Sequence, residues 1–241
     1  MSVDIVETNL DFDSLSERGY TDMVVIHHTG CNDIDASAEE IHGWHLGQGW
    51  AGIGYHYVVR KDGTIERGRP EWAIGSHAYG ENSHTIGIHL SGDFEQAYPT
   101  DKQLDRCGAL VADICDRYGI PIDRSHVVGH GELMATTCPG RNLQYYLNDG
   151  TITGKAIFYY NKIHGIDNAV AKTEPPVEQE GGNCGGRGAE RFNTVDSVPE
   201  WAQPTVQKML DKGLLNGDGQ GLDLSRDMLR LFVVNDRAGL Y

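Results

Sequence analysis

The first strong apolar signal along the chain is Met23-Val24-Val25-Ile26, which runs without a polar break into His27 and His28. A short run rich in β-branched residues predicts a buried strand over 22–28, with both histidines at its end. Residues 36–46 place Ile41, Trp44 and the stem of His45 on one compatible face, the pattern of a helix, and the glycines around Gln48 close it. Residues 54–60 alternate and predict a second strand, on which Tyr55 and Tyr57 share one face and His56 takes the other. Lys61-Asp62-Gly63-Thr64 is a hairpin signal leading into a third strand at 65–67, and 85–91 reads as a fourth, bounded by Gly92. Thr100 suits an N-cap, after which Leu104, Cys107, Leu110, Val111 and Ile114 recur at helical spacing as far as Tyr118-Gly119. Residues 121–128 return the chain to the sheet edge and deliver His130. The opening residues 1–20 read as an acidic lead-in with a short helix at 14–19.

Strands interleaved with helices imply an α/β domain, a central mixed β-sheet flanked by helices, with its site at strand ends and loops. After Tyr145-Tyr146 the periodicity thins. Residues 161–188 include Thr-Glu-Pro-Pro-Val-Glu-Gln-Glu-Gly-Gly-Asn-Cys-Gly-Gly, which has little to bury and reads as a flexible linker. Beyond it, over 189–241, Trp201, Val206, Met209 and Leu210 lie near helical spacing, and 227–234 forms a second short amphipathic element. The expected organisation is therefore a main domain at 1–160, the linker, and a small, mainly helical C-terminal module.

Composition narrows the picture. The chain has 241 residues, enough for a sizeable core, with 39% hydrophobic and 23% charged positions, the ordinary globular range. A formal net charge of −15 argues against nucleic acid as a sequence-independent partner, which needs clustered Lys and Arg. The five cysteines, at 31, 107, 115, 138 and 184, are an odd set without regular spacing and indicate no disulfide framework. No run approaches the roughly 18 apolar residues of a membrane span, and the first residues lack the basic start and apolar core of a signal peptide. The expectation is synthesis in the cytoplasm without a signal peptide.

The chemistry concentrates at Val128–Arg141, where His130 and Cys138 are separated by a short loop locked by Cys138-Pro139. Zinc takes both donor types, and a catalytic zinc keeps three protein ligands and one open position. The third donor comes from His27 or His28. Side chains alternate along a strand, so one of the two at most reaches a common site. If His28 were a fourth ligand the zinc would be closed and structural.

The order Ile26-His27-His28-Thr29, Gly49-Trp50-Ala51-Gly52-Ile53-Gly54-Tyr55-His56-Tyr57, Gly75-Ser76-His77-Ala78, Asn82-Ser83-His84-Thr85-Ile86-Gly87-Ile88 and Gly129-His130-Gly131-Glu132-Leu133 through Thr137-Cys138-Pro139-Gly140 resembles the zinc-dependent N-acetylmuramoyl-L-alanine amidases. That family includes phage lysozymes of the amidase type and the animal peptidoglycan recognition proteins. The resemblance spans roughly residues 20–150. It implies zinc on His27, His130 and Cys138, with Tyr55 as the catalytic tyrosine. It also sets Thr136 where phage lysozymes carry a catalytic lysine and active recognition proteins a threonine. His77 and Asn82 match positions lining the family's groove, and Trp72 offers an apolar wall for sugar or peptide. His89 stands where a cytoplasmic branch has a functional glutamate, a departure that weighs against a carboxylate general base.

The resemblance implies an enzyme that cuts between the muramic lactyl group and L-alanine of bacterial peptidoglycan, a phage or prophage endolysin acting on the wall after release. The competing class is a non-catalytic peptidoglycan-binding protein. The tail resembles small modules that accompany wall hydrolases, and implies wall attachment or a homo-oligomer. With a net charge of −15 the chain gains no long-range attraction to anionic wall polymers, so wall binding rests on short-range contacts.

Overall fold

In this computed structural model, residues 3–166, 191–199, 202–215, 221–222, 224–225, 228–229 and 232–233 are described. They form two compact units, 1–168 and 169–241. The expected linker at 161–188 and Cys184 lie largely or wholly outside the described residues.

The first unit is built on a five-stranded sheet: β1 (Met23–His28), β2 (Tyr57–Val59), β3 (Ile65–Arg67), β4 (Thr85–Leu90) and β5 (Val127–Gly129), in the order β3-β2-β4-β1-β5. The hairpin β2–β3 is antiparallel, as its turn sequence requires, and the other pairings are parallel. The sheet is mixed, and β1 lies inside it, paired on both sides. Residues in register across parallel strands point to the same face, so His27 lies beside its partner His89.

The two faces differ in composition. Val24, Ile26, Tyr57, Val59, Ile86, Ile88 and Leu90 form one face, in a largely apolar core. It packs under α2 (Asp101–Tyr118) and α4 (Thr151–His164). Each such side chain contributes about 1.5–3 kcal/mol by leaving water. Helix α2 starts where Thr100 and Gln103 form a reciprocal capping box and stops at Gly119, whose φ of 66° is costly for a residue with a side chain. The opposite face carries Val58, His27, Gly87 and His89, covered in part by α1 (Ala38–Gly47), which the Ser37/Glu40 capping box starts.

Three expectations change. Residues 14–19 are not helical: the Arg18 N–H donates to the Trp72 carbonyl and the Ile74 N–H to the Ser16 carbonyl, so long-range pairing replaces local helix bonds. The second strand is only Tyr57–Val59, and a bend at His56 breaks the alternation. Tyr55 therefore packs beside Val58 while Tyr57 enters the apolar core on the other face. Beyond Tyr145 the chain holds α3 (Arg141–Asn148) and then α4. Helix α4 escaped notice because apolar residues surround it: Ile152 and Ala156 are buried while Ile157 and Phe158 are exposed.

In the second unit, β6 (Arg191–Phe192) pairs antiparallel with β7 (Leu224–Ser225), and α5 (Gln203–Asp211) begins with proline in its first turn. Phe192, Val198, Ala202, Val206, Met209, Leu224, Leu229 and Val233 give it a core of its own. The element expected at 227–234 is helical at the residues described, 228–229 and 232–233. Among the described residues no helix is long and apolar enough to cross a membrane.

Candidate metal centre

Strand β1 ends with two histidines pointing to opposite faces. The His28 Nδ1 accepts the Phe94 N–H at 3.1 Å and its ring stacks on Phe94, on the apolar side. His27, fully buried, points to the other face. Strand alternation thus excludes His28 as a fourth ligand.

The edge strand β5 hands the chain to a 3-10 turn at His130–Glu132. Glu132 anchors that turn: its carboxylate accepts the Gly129 N–H at 2.7 Å, the Gln144 amide at 2.9 Å and the Arg124 guanidinium at 2.7 Å. The following loop folds back so that the Gly131 N–H donates to the Cys138 carbonyl at 2.6 Å, and the Cys138–Pro139 bond is cis. A Cβ at Gly131 would lie 2.9 Å from that carbonyl, so only glycine permits the approach.

The result is convergence. Donor atoms of His27, His130 and Cys138 lie within 4.8 Å of one another, and no other group of three metal-binding side chains is found among the described residues. The Cys138 Sγ is 3.6 Å from His27 Nδ1, and the two imidazole rings are 4.5 Å apart. Burial, then the neighbouring His77 and His130, drive the His27 pKa well below its ordinary value, and burial lowers that of His130. Burial pushes the Cys138 thiol up to about 12, against a favourable hydrogen bond from the His28 backbone. Two neutral imidazoles and a thiol that prefers its proton suit a divalent cation, which would draw off that proton. The set is borderline-soft nitrogen and sulfur, the chemistry of zinc.

Tyr55 lies beside this group, its ring 4.9 Å from His27, 4.7 Å from His89 and 5.7 Å from His45. Burial, with Cys138 second, raises the phenol above its ordinary pKa and keeps it a neutral donor. His89 is buried; its Nε2 meets the Thr29 hydroxyl at 3.1 Å, its Nδ1 has no partner, and burial lowers its pKa to about 3. His45 is spent on structure, its Nδ1 accepting the Gly54 N–H at 3.0 Å, which holds the loop carrying Tyr55.

The remaining expected residues separate. Thr136 sits in the exposed loop before Cys138, where its hydroxyl accepts the Cys138 N–H at 3.3 Å, and lines a cavity of about 450 Å³ with Cys138, Glu95 and Arg141. His77 packs under His27, with 3.0 Å between His77 Nδ1 and His27 Nε2. Asn82 faces inward, its Oδ1 accepting the N–H groups of His77 and Ala78. Trp72 is not brought to the cluster: it is 54% exposed and lines a different cavity, of about 570 Å³, with Tyr57, Glu71 and Arg117 on the α2 side of the sheet. Sequence reasoning missed Glu132, although the Gly129-x-x-Glu132 spacing is that of a capping carboxylate.

The N-acetylmuramoyl-L-alanine amidase family profile matches residues 17–141, and the chain belongs to that family. The endolysin of Escherichia phage T7 is 32% identical over 134 residues, 53% of this chain and 86% of that protein. Among solved structures, the amidase LysC from Clostridium intestinale is 39% identical, covering 58% of this chain and 91% of that one, with a TM-score of 0.54. Drosophila PGRP-LB shares the fold at 26% identity and a TM-score of 0.55, over 61% of this chain and 94% of that one.

Proposed function

We propose that the chain is a zinc-dependent peptidoglycan hydrolase that cleaves the amide between N-acetylmuramic acid and L-alanine of the stem peptide, working as a phage or prophage endolysin. The observation that carries this is the convergence of His27, His130 and Cys138 beside Tyr55. Zinc held by those three side chains supplies Lewis acidity and a nucleophile at neutral pH. The Tyr55 phenol donates a hydrogen bond to the oxyanion that develops on the scissile carbonyl. Thr136, on the loop that carries Cys138, offers a second, uncharged donor with a smaller share. His77 and Asn82 line the floor behind His27. The wall is reached after release from the cell, and the C-terminal unit attaches the enzyme to wall polymer or to a second copy.

Digested peptidoglycan analysed by mass spectrometry tests the reaction: new L-alanine amino ends are expected. Binding without such ends would make the chain a recognition protein instead. Removal of residues 189–241 should weaken pelleting with walls and leave hydrolysis of soluble muropeptide intact. Unchanged pelleting would remove the targeting role.

A further inference from the structure

His27 can serve as a ligand through Nδ1 only if its single imidazole proton sits on Nε2. Its Nδ1 faces Cys138 Sγ and its Nε2 faces His77 Nδ1 at 3.0 Å. The far side of His77 is bounded by an acceptor. His77 Nε2 lies 3.5 Å from the Thr85 hydroxyl. The Thr85 hydroxyl donates its one proton to the Glu81 carbonyl at 2.8 Å. A carbonyl can only accept, so the direction of the whole row is set from its end. Thr85 O–H points to Glu81, His77 must carry its proton on Nε2, its Nδ1 is left as an acceptor, and His27 donates from Nε2.

We infer that Thr85 and His77 act as positioning residues that hold His27 in the Nε2–H tautomer and so present its Nδ1 lone pair to the metal. The reverse direction would set the bare His77 Nε2 against a hydroxyl oxygen whose proton is already given to Glu81, and would place the His27 proton on Nδ1, between the metal and its ligand. The surroundings are shaped for this row. His77 and Thr85 are buried, Asn82 fixes the backbone of His77, and a Cβ at Gly87 would come within 2.7 Å of the His77 ring. Gly87 is thus the one β4 position on that face where the imidazole can lie against the strand.

The inference rests on the proposed metal site, but its primary test needs neither metal nor substrate. Two-bond proton–nitrogen NMR of the metal-free full-length chain at neutral pH should show His27 protonated on Nε2 and His77 protonated on Nε2. A His27 resonance with the proton on Nδ1 would overturn the inference, even in an active enzyme. Conversely, the expected tautomers in a chain that cleaves no peptidoglycan would sink the proposed function and leave this row standing. The second measurement is the zinc dissociation constant by chelator competition. His77→Leu removes the acceptor and should weaken zinc by about 10- to 100-fold, whereas His77→Asn, which returns an oxygen near the Nδ1 position, should stay near wild type. Equal losses in both variants, or none in either, would also overturn it.

Discussion

The two faces of the sheet are made by the same five strands yet obey different physics. Toward α2 and α4 every inward residue of β4 is aliphatic, Ile86, Ile88 and Leu90, and any of them is satisfied by contact alone. Toward the candidate metal centre β4 presents Thr85, Gly87 and His89, and each of these is fixed by a directional partner or by the space a neighbour needs. Packing tolerates volume-conserving exchange, whereas directed lone pairs do not. Stability should therefore reside on one face and reactivity on the other, and substitutions can separate them.

The largest effect should come from Cys138→Ser. Losing the thiolate removes a donor that a hydroxyl does not replace, so zinc content by metal analysis should fall. Wall clearing should drop by at least about a thousandfold, the scale of several kcal/mol at about 1.4 kcal/mol per tenfold. The fold should persist by circular dichroism, because the apolar face is untouched. Normal lysis by this variant would end the enzyme reading. The mirror experiment is Ile88→Ala, one register step from His89 on the other face. It should lower unfolding stability by about 2–5 kcal/mol in denaturant titration while the folded fraction binds zinc as before. Tyr55→Phe ranks next: it removes one oxyanion donor and should cost about 10²-fold in kcat with zinc content and melting temperature little changed. A loss of zinc in Tyr55→Phe would make the phenol structural and blur the distinction between the faces.

How much of this contrast could be read from the chain follows the same division. The apolar face was legible, since an uninterrupted run such as Met23-Val24-Val25-Ile26 has few uses other than a buried strand, and Thr100 announced α2. On the polar face, alternation limited His27 and His28 to one ligand without choosing between them. The choice depends on which face α2 covers, a tertiary fact. The separation of Tyr55 from Tyr57 depends on a bend at His56, whose Nδ1 accepts the Gly87 N–H at 3.0 Å across the sheet. No local pattern encodes such a bond. The position of Trp72 away from the histidine cluster was not legible for a related reason: an exposed aromatic advertises a binding surface but not which one. Motif order brought the three candidate donors into view, and hydrogen-bond direction, invisible in one dimension, underlies the roles proposed for them.

The smallest expected effect concerns pH, and it too separates the faces. His84 bridges Asp22 at 2.5 Å and Glu81 at 2.8 Å, pinning the segment that ends in Thr85, and its ring stacks on Tyr20. Burial opposes its charge, but the hydrogen bonds to Asp22 and Glu81 outweigh burial and raise its pKa. A raised folded-state pKa means the stabilisation is fully present below the ordinary imidazole value and is lost as pH rises through the elevated one. Asp22 and Glu81 are partly solvent-exposed, so the contribution is modest and screened by salt. The melting temperature of the chain should therefore fall as pH rises above the ordinary imidazole value of about 6.5 and through the elevated one, and the fall should shrink in His84→Gln and in high salt. No titratable side chain of the apolar face pairs with His84, so Ile88→Ala should shift the whole curve down without changing its slope. A slope unchanged in His84→Gln would show that this clamp adds nothing to the stability of the polar face.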